Sequence, residues 1–226
     1  MKPLPQSAAF FDLDNTLIKG SSLFYLFKGL VEYGQVSKRQ ILDFAFENYR
    51  FIRSKTEHVS SMSRISSKAL TLVAGRNHAH LSDLCEKIVE KFLNQKLNPH
   101  VYERLQEHHF LGHHTWLITA APVEIAQIVA QKMGMTGAIG THCEVIDGKY
   151  SGRLLGEMLH GPRKAVAMQS IAVNRNYDLT RSFAYSDSIN DLPLLLSVGT
   201  PFVVNPNQEL ARIARKNSWS ELTNVS

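Results

Sequence analysis

Cysteine is almost absent from this chain. Cys85 and Cys143 are the 2 among 226 residues, and they are too far apart for a CxxC pair. That excludes a disulfide scaffold and a zinc ribbon, and it suits a reducing compartment. Apolar runs of the ~20 residues a membrane span needs are also missing, and the opening MKPLPQSAAFFDLD holds no signal-peptide apolar region. A soluble, cytoplasmic protein without stable membrane association is therefore expected. Internal repeats and low-complexity segments are lacking. So is any long block of basic residues, although the net charge is +5. With its 25 Lys and Arg scattered, the basic balance points to an anionic small molecule, and no nucleic-acid partner is expected.

What remains is ample material for a core. Apolar residues make up 44% of the chain, and a chain of this length buries roughly 70% of its unfolded surface. One large domain, or a core domain with a modest insertion, is allowed. Short apolar runs at residues 8–11, 116–118, 183–185 and 202–204 are bounded by polar, Gly or Pro residues, as parallel strands covered on both faces would be. Residues 122–132 carry Val123, Ile125, Ala126, Ile128 and Val129 at helical spacing and stop at Gly134. Gly161-Pro162 opens a further helix with Pro near its first position. Asp147-Gly148, within residues 144–155, predicts a hairpin beside the main sheet. The pattern predicts an α/β doubly wound, mostly parallel sheet of Rossmann-like type.

About a hundred residues separate the first two strands, and they read as helical almost throughout. Leu23, Phe24, Phe27, Leu30 and Val31 form an amphipathic stripe in residues 21–34, and Val89, Phe92 and Leu93 mark a later helix. A crossover needs only a dozen or more residues. The excess predicts a helical cap domain at 20–100, inserted in a catalytic core of residues 1–19 and 101–226.

The chemistry-bearing residues gather where such a sheet binds ligands, at the carboxyl ends of its strands. The first strand ends in Asp12-Leu13-Asp14-Asn15-Thr16. Two aspartates two apart on an extended segment point the same way. Side-by-side carboxylates hold a hard cation or divide into nucleophile and acid–base; capping a turn is the plainer use of such residues. An EF-hand loop fails, because Leu17 and Leu23 stand where its glycine and bidentate glutamate belong. The second strand runs into Thr119-Ala120-Ala121-Pro122, a hydroxyl and small residues before a helix, which suits an anion or a simple cap. Lys164 falls in the first turn of the helix after Gly161, where a cation opposes the helix dipole. The third strand ends in Ser186-Asp187-Ser188-Ile189-Asn190-Asp191; a capping box from Ser188 would account for Asp191 but not for the rest.

This order of motifs (DxDxT, a hydroxyl, a lysine, DSxND) resembles the haloacid dehalogenase superfamily of aspartyl-phosphate phosphatases. The cap placed soon after the first motif is similar to its phosphoserine-phosphatase-like branch. The resemblance spans nearly the whole chain, including Gly75, Gly140-Thr141 and the run 185–195. It implies Asp12 as nucleophile, Asp14 as general acid–base and Lys164 as the neutralising cation. It further implies Thr119, Ala120, Lys164 and Asn190 around the substrate phosphate, and Mg²⁺ held by Asp12, Asp14 (through its carbonyl) and Asp187. Asp191 would orient the metal surroundings or the lysine. Cation and lysine together would keep Asp12 ionised.

The expected activity is Mg²⁺-dependent hydrolysis of a small phosphomonoester. A phosphotransferase using the same intermediate is the first alternative, and a basic nucleic-acid-binding protein with a degenerate site the second. Two departures from the family pattern bear on substrate. Ser21 stands nine positions after the nucleophile, where phosphoserine phosphatases carry an acidic residue for the substrate amine. The lysine is preceded by Gly161-Pro162-Arg163 in place of Gly-acidic-Gly. Free phosphoserine is thus expected to be a poor substrate, and a polyol, sugar or glycerol-type phosphate a better one. Arg50 and Arg53 are candidates to meet the substrate headgroup, a solvated helix face being their other use. His108, His109, His113 and His114 crowd the approach to the second strand, away from the site, and a role at a helix C-terminus is expected of them.

Overall fold

The computed structural model describes residues 6–37, 39 and 69–223. Strand β1 (Ala8–Phe11) is buried along its whole length. Its alternating side chains feed two separate clusters: Ala9 and Phe11 on one face of the sheet, Ala8 and Phe10 on the other. A strand covered on both faces has no polar side to show, which is why it reads as an unbroken apolar run.

From β1 the chain passes to α1 (Ser22–Glu32), α2 (His78–Lys96) and α3 (Pro99–Phe110), then to β2 (His114–Pro122), α4 (Val123–Lys132) and β3 (Gly137–Thr141). The hairpin of β4 (Cys143–Ile146) and β5 (Lys149–Leu154) precedes α5 (Pro162–Arg175). Last come β6 (Phe183–Ser186), α6 (Leu192–Leu196), β7 (Thr200–Val204), α7 (Gln208–Lys216) and β8 (Ser220–Leu222). The main sheet has the order β3-β2-β1-β6-β7-β8, with every pairing parallel, while β4 and β5 pair antiparallel. This is the predicted α/β class. The chain winds outward through β2 and β3, then returns to start the other half at β6 beside β1. The crevice at that reversal is where ligands bind in such sheets.

Several local expectations change. β3 and β8 are edge strands without an apolar run, reading Gly-Ala-Ile-Gly-Thr and Ser-Glu-Leu. A strand paired on one side needs less apolar sequence, so these gave no signal. β2 continues past Ile118 to Pro122, so Thr119 and Ala120 lie in the strand and the helix begins only at Val123. The α1 stripe holds except at Phe24: Leu26, Phe27 and Leu30 are buried and Leu23 and Val31 pack against the core, while Phe24 is 39% exposed. At Gly29 a Cβ would meet the Ile88 side chain at 2.4 Å, so α1 brings its glycine face against α2.

The loop after β1 and the end of α2 are tied together. Lys19 N–H donates to the Lys96 carbonyl (2.7 Å), and Asn98 N–H to that of Leu17 (2.9 Å). α2 packs on α1 and also on α4. Its buried Val89, Phe92 and Leu93 therefore belong to the same cluster as Phe11 and Leu117 of the sheet. Arg50 and Arg53 lie outside the described residues. Among the described residues no helix is long and apolar enough to cross a membrane.

The histidines before β2 form a buried polar knot. His108 Nε2 lies 2.9 Å from Tyr185 Oη, and its Nδ1 2.9 Å from His113 Nδ1. Burial, with His113 and His109 adding to it, pushes the His108 imidazole down to about 4. It is neutral at pH 7, so it packs at the end of α3 without acting as a cation on the helix dipole.

Candidate active site

β2, β1 and β6 are neighbours in the sheet, so the segments after their apolar runs converge at one edge. Asp12 follows β1 directly, and its N–H donates to the Tyr185 carbonyl (3.0 Å), a ladder bond that carries the parallel pairing one residue past the strand. Leu13 turns the other way and is fully buried. The chain then bends at Asn15, whose φ of 55° is one that Asn tolerates better than most residues.

Lys164 arrives from α5. Gly161 precedes that helix with φ 57° and ψ −128°, a conformation that side chains other than glycine's seldom permit. The turn drops Lys164 into the crevice, where it is 4% exposed. Its Nζ donates to Asp12 Oδ1 and to Asp191 Oδ2, each at 2.7 Å. Ser186 Oγ donates to the same Asp191 oxygen (2.8 Å) and accepts from Ser188 N–H (3.2 Å). Asp191 thus belongs to the lysine and takes no part in a capping box; Ser188 caps its own turn through Asn190 N–H (3.2 Å). Burial works against the charge of Lys164, but Asp12 and Asp191 outweigh it and hold the amine protonated above its ordinary range.

Asp187 is drawn to the same point by Thr16. The Thr16 hydroxyl accepts from Asp187 N–H (3.0 Å) and lies 3.2 Å from Asp187 Oδ1 and 3.4 Å from Asp12 Oδ2. One hydroxyl proton cannot serve both carboxylates. Burial, with the negative charge of Asp191, holds Asp12 and Asp187 well above the usual carboxylate range; Asp14 adds to this at Asp12 and Asp12 adds to it at Asp187, and Lys164 offsets it only in part. The expectation of a fully ionised Asp12 therefore needs more positive charge than Lys164 provides. The Asp12 and Asp187 carboxylates, both within 3.4 Å of the Thr16 hydroxyl, form an all-oxygen donor pair, which suits a hard divalent ion such as Mg²⁺. Among the described residues no three Asp, Glu, His or Cys side chains make a ready metal cluster, so an ion here would draw on backbone and water oxygens as well.

Asp14 stands apart from that pair. Its Oδ1 accepts from Ser22 N–H at the start of α1 (2.8 Å), and burial raises its pKa, the Ser22 bonds opposing. A carboxyl held this way can carry a proton and release it. Thr119 is buried in β2 with Oγ1 accepting from Ala121 N–H (3.1 Å), and the Ala120 carbonyl accepts from Thr141 Oγ1 (2.8 Å). Asn190 Nδ2 lies 3.3 Å from Ser188 Oγ. Ser21 caps α1, its Oγ accepting from Phe24 N–H (3.4 Å).

Thr16, Ser186 and the Ser22 N–H escaped the sequence reading as individual contributors. Thr16 had a signal, as the last residue of DxDxT. The other two had none, because their value comes only from what the fold sets opposite them.

A family model described as haloacid dehalogenase-like hydrolase matches residues 9–196. A Mycobacterium tuberculosis protein named phosphoserine phosphatase is 40% identical over 213 residues, covering 94% of this chain and 69% of that protein. A Neisseria meningitidis protein named histidinol-phosphatase is 27% identical over 226 residues, covering 96% of this chain and 98% of that one. A crystal structure of a Bordetella pertussis protein of unknown function superposes with a TM-score of 0.81 at 25% identity, over 96% of this chain and 98% of that one.

Proposed function

The chain belongs to the haloacid dehalogenase-like hydrolases, and from that premise we propose that it is a Mg²⁺-dependent phosphomonoester hydrolase working through an aspartyl-phosphate on Asp12. Its substrate is a small organic phosphate. The observation that carries this reading is the Lys164 bridge: one buried ammonium 2.7 Å from Asp12 and 2.7 Å from Asp191, beside the further carboxylate of Asp187, whose charge Lys164 offsets only in part. Relatives named for two different phosphate esters support the reaction class and leave the leaving group open.

In the first step an Asp12 oxygen bonds to phosphorus as the phosphorus–oxygen bond to the alcohol breaks. Asp14 gives its proton to the departing alkoxide. In the second step Asp14 takes a proton from water, the water oxygen bonds to phosphorus, and the Asp12–phosphorus bond breaks. One proton thus shuttles on Asp14, and Asp12 is regenerated. Lys164 neutralises charge on Asp12 and on the phosphoryl oxygens, and Asp191 holds it there. Thr119, the Ala120 backbone and Asn190 receive the remaining phosphate oxygens. Asp12, the Asp14 carbonyl and Asp187 would hold Mg²⁺, which supplies the charge that lets an anionic ester approach an anionic nucleophile. The insertion at 20–100 is read as the cap domain of this core. A cytoplasmic place suits the two free cysteines.

The test is phosphate release across amino-acid, sugar, polyol, nucleotide and lysolipid phosphates, with Mg²⁺ and with excess chelator. It is paired with mass-spectrometric search for a phosphoryl group on Asp12 after acid quench. Release from at least one ester that stops in chelator, with label on Asp12, is expected. Label on another residue would overturn the covalent role of Asp12, and full activity in chelator would overturn the metal site.

A further inference from the structure

Beside Asp14 and Thr119, α1 and the core enclose a cavity of about 70 Å³, lined by Leu26, Phe27, Val73, Ala120, Leu154 and Met158 among the described residues. It borders the site through the chain itself. Ala120 follows Thr119, and Leu23, also in the lining, follows the Ser22 whose N–H holds Asp14 at 2.8 Å.

Thr141 and Cys143 are the polar side chains among its described lining residues. Thr141, part of the lining, donates to the Ala120 carbonyl (2.8 Å) and accepts from Leu159 N–H (3.1 Å). The Cys143 thiol is uncharged, burial pushing it up to about 12. Glu124, two residues past Pro122, is not part of the described lining; its Oε1 accepts from Tyr150 Oη (2.9 Å) and lies 3.4 Å from His78 Nε2, while its Oε2 is buried without a hydrogen-bond partner. Ser21 is the N-cap of α1. Among the described lining side chains neither an ammonium nor a row of hydroxyls finds a partner. A buried ammonium without a counter-ion, or a buried hydroxyl without a hydrogen bond, costs binding heavily.

We propose that this cavity receives a short apolar chain of the leaving alcohol, so that the preferred substrates are phosphate monoesters of small alkyl-type alcohols. This rests on the phosphatase reading above and narrows the neutral leaving group expected from Ser21 to an apolar one. A cavity of about 150 Å³ accepts a benzene ring, so this one suits roughly three or four carbons. Each buried methylene strengthens binding about fourfold.

The experiment compares kcat/KM for methyl, ethyl, propyl and butyl phosphate, with glycerol phosphate and phosphoserine alongside, in the presence of Mg²⁺. A rise of about fourfold per carbon is expected, roughly sixtyfold from methyl to butyl, with glycerol phosphate below propyl and phosphoserine near or below methyl. Val73→Phe, which fills the cavity, should collapse the butyl-to-methyl ratio towards one; Leu154→Phe serves if that variant fails to fold. Binding of methyl- to butylphosphonate by calorimetry reads the same cavity without turnover and should tighten about fourfold per carbon. A flat series, phosphoserine above butyl phosphate, or an unchanged ratio in the filled variant would overturn the proposal. Should no ester be hydrolysed while the phosphonate series keeps its slope, the phosphatase reading fails and the apolar cavity stands.

Discussion

Lys164 and His108 are both buried bases, and the fold treats them in opposite ways. Lys164 faces Asp12 and Asp191, each 2.7 Å away, and keeps its proton. His108 faces a phenol and another imidazole, each 2.9 Å away, and loses its own. Burial penalises charge at both places. What decides the outcome is whether a full opposite charge is supplied at contact distance. The crevice at the strand ends concentrates charge for chemistry, whereas the knot between α3 and β6 removes charge and packs as core.

The largest effect should come from removing the acceptor that is also the proposed nucleophile. Asp12→Asn leaves Asp191 to hold Lys164, so the fold should survive while turnover falls by at least about a thousandfold, an amide being no nucleophile. Phosphate release and circular dichroism together check this, and a loss of less than tenfold would refute covalent catalysis.

Next is the cation itself. Lys164→Ala should lower kcat by roughly a hundredfold or more, since a preorganised charge of this kind typically contributes about 3 kcal/mol. The variant also strands Asp12 and Asp191 without their partner, so a lower melting temperature is expected. Lys164→Arg should restore little, its planar fork being a poor substitute for a compact ammonium between two carboxylates. Near-normal kcat in the alanine variant would reduce this lysine to a structural ion pair.

A pH series sharpens the contrast further. Asp12 and Asp187 have raised native pKa values, so the folded protein without metal binds more protons than the unfolded chain. Its stability should fall as pH rises from about 4, the unfolded carboxylate value, through those raised native values. Mg²⁺ competes with protons for the same oxygens. It should therefore raise the melting temperature more at pH 8 than at pH 5. Equal shifts at both values would mean the ion binds elsewhere.

The smallest effect belongs to the neutral base. With its native pKa lowered to about 4, His108 contributes stability above the unfolded histidine value of about 6.5 that is lost as pH falls through that window. His108→Gln, which keeps a polar atom near Tyr185, should shrink the acid-induced drop in melting temperature between pH 7 and 5 by a few degrees. An unchanged drop would place the acid sensitivity elsewhere in the chain.

Legibility tracked how local each feature is. Asp12, Asp14 and Thr16 share one short segment, and Asp187 and Asn190 another, so their spacing could be read directly. The hairpin at Asp147-Gly148 was readable because positive φ at both residues (49° and 72°) needs that dipeptide chemistry. The α1 stripe is legible at Leu23, Phe27, Leu30 and Val31 and departs at Phe24, which is exposed; the close approach of Gly29 to Ile88, fifty-nine positions away, is not legible from local sequence. Edge strands β3 and β8 were silent for want of an apolar face. Arg50 and Arg53 fall outside the described residues.

By itself the sequence determined the α/β class, the paired aspartates, the lysine behind Gly161-Pro162 and the absence of a carboxylate at Ser21. These are matters of residue type, spacing and backbone preference along short stretches. Only the tertiary structure decided that Asp191 serves Lys164 instead of a helix cap, that Thr16 sits between Asp12 and Asp187, and that apolar side chains among the described residues line a cavity reaching Ala120. Each of those is a contact between segments far apart in the chain, and the energies that fix it, burial and charge at 2.7–3.4 Å, exist only once the sheet has set the segments side by side.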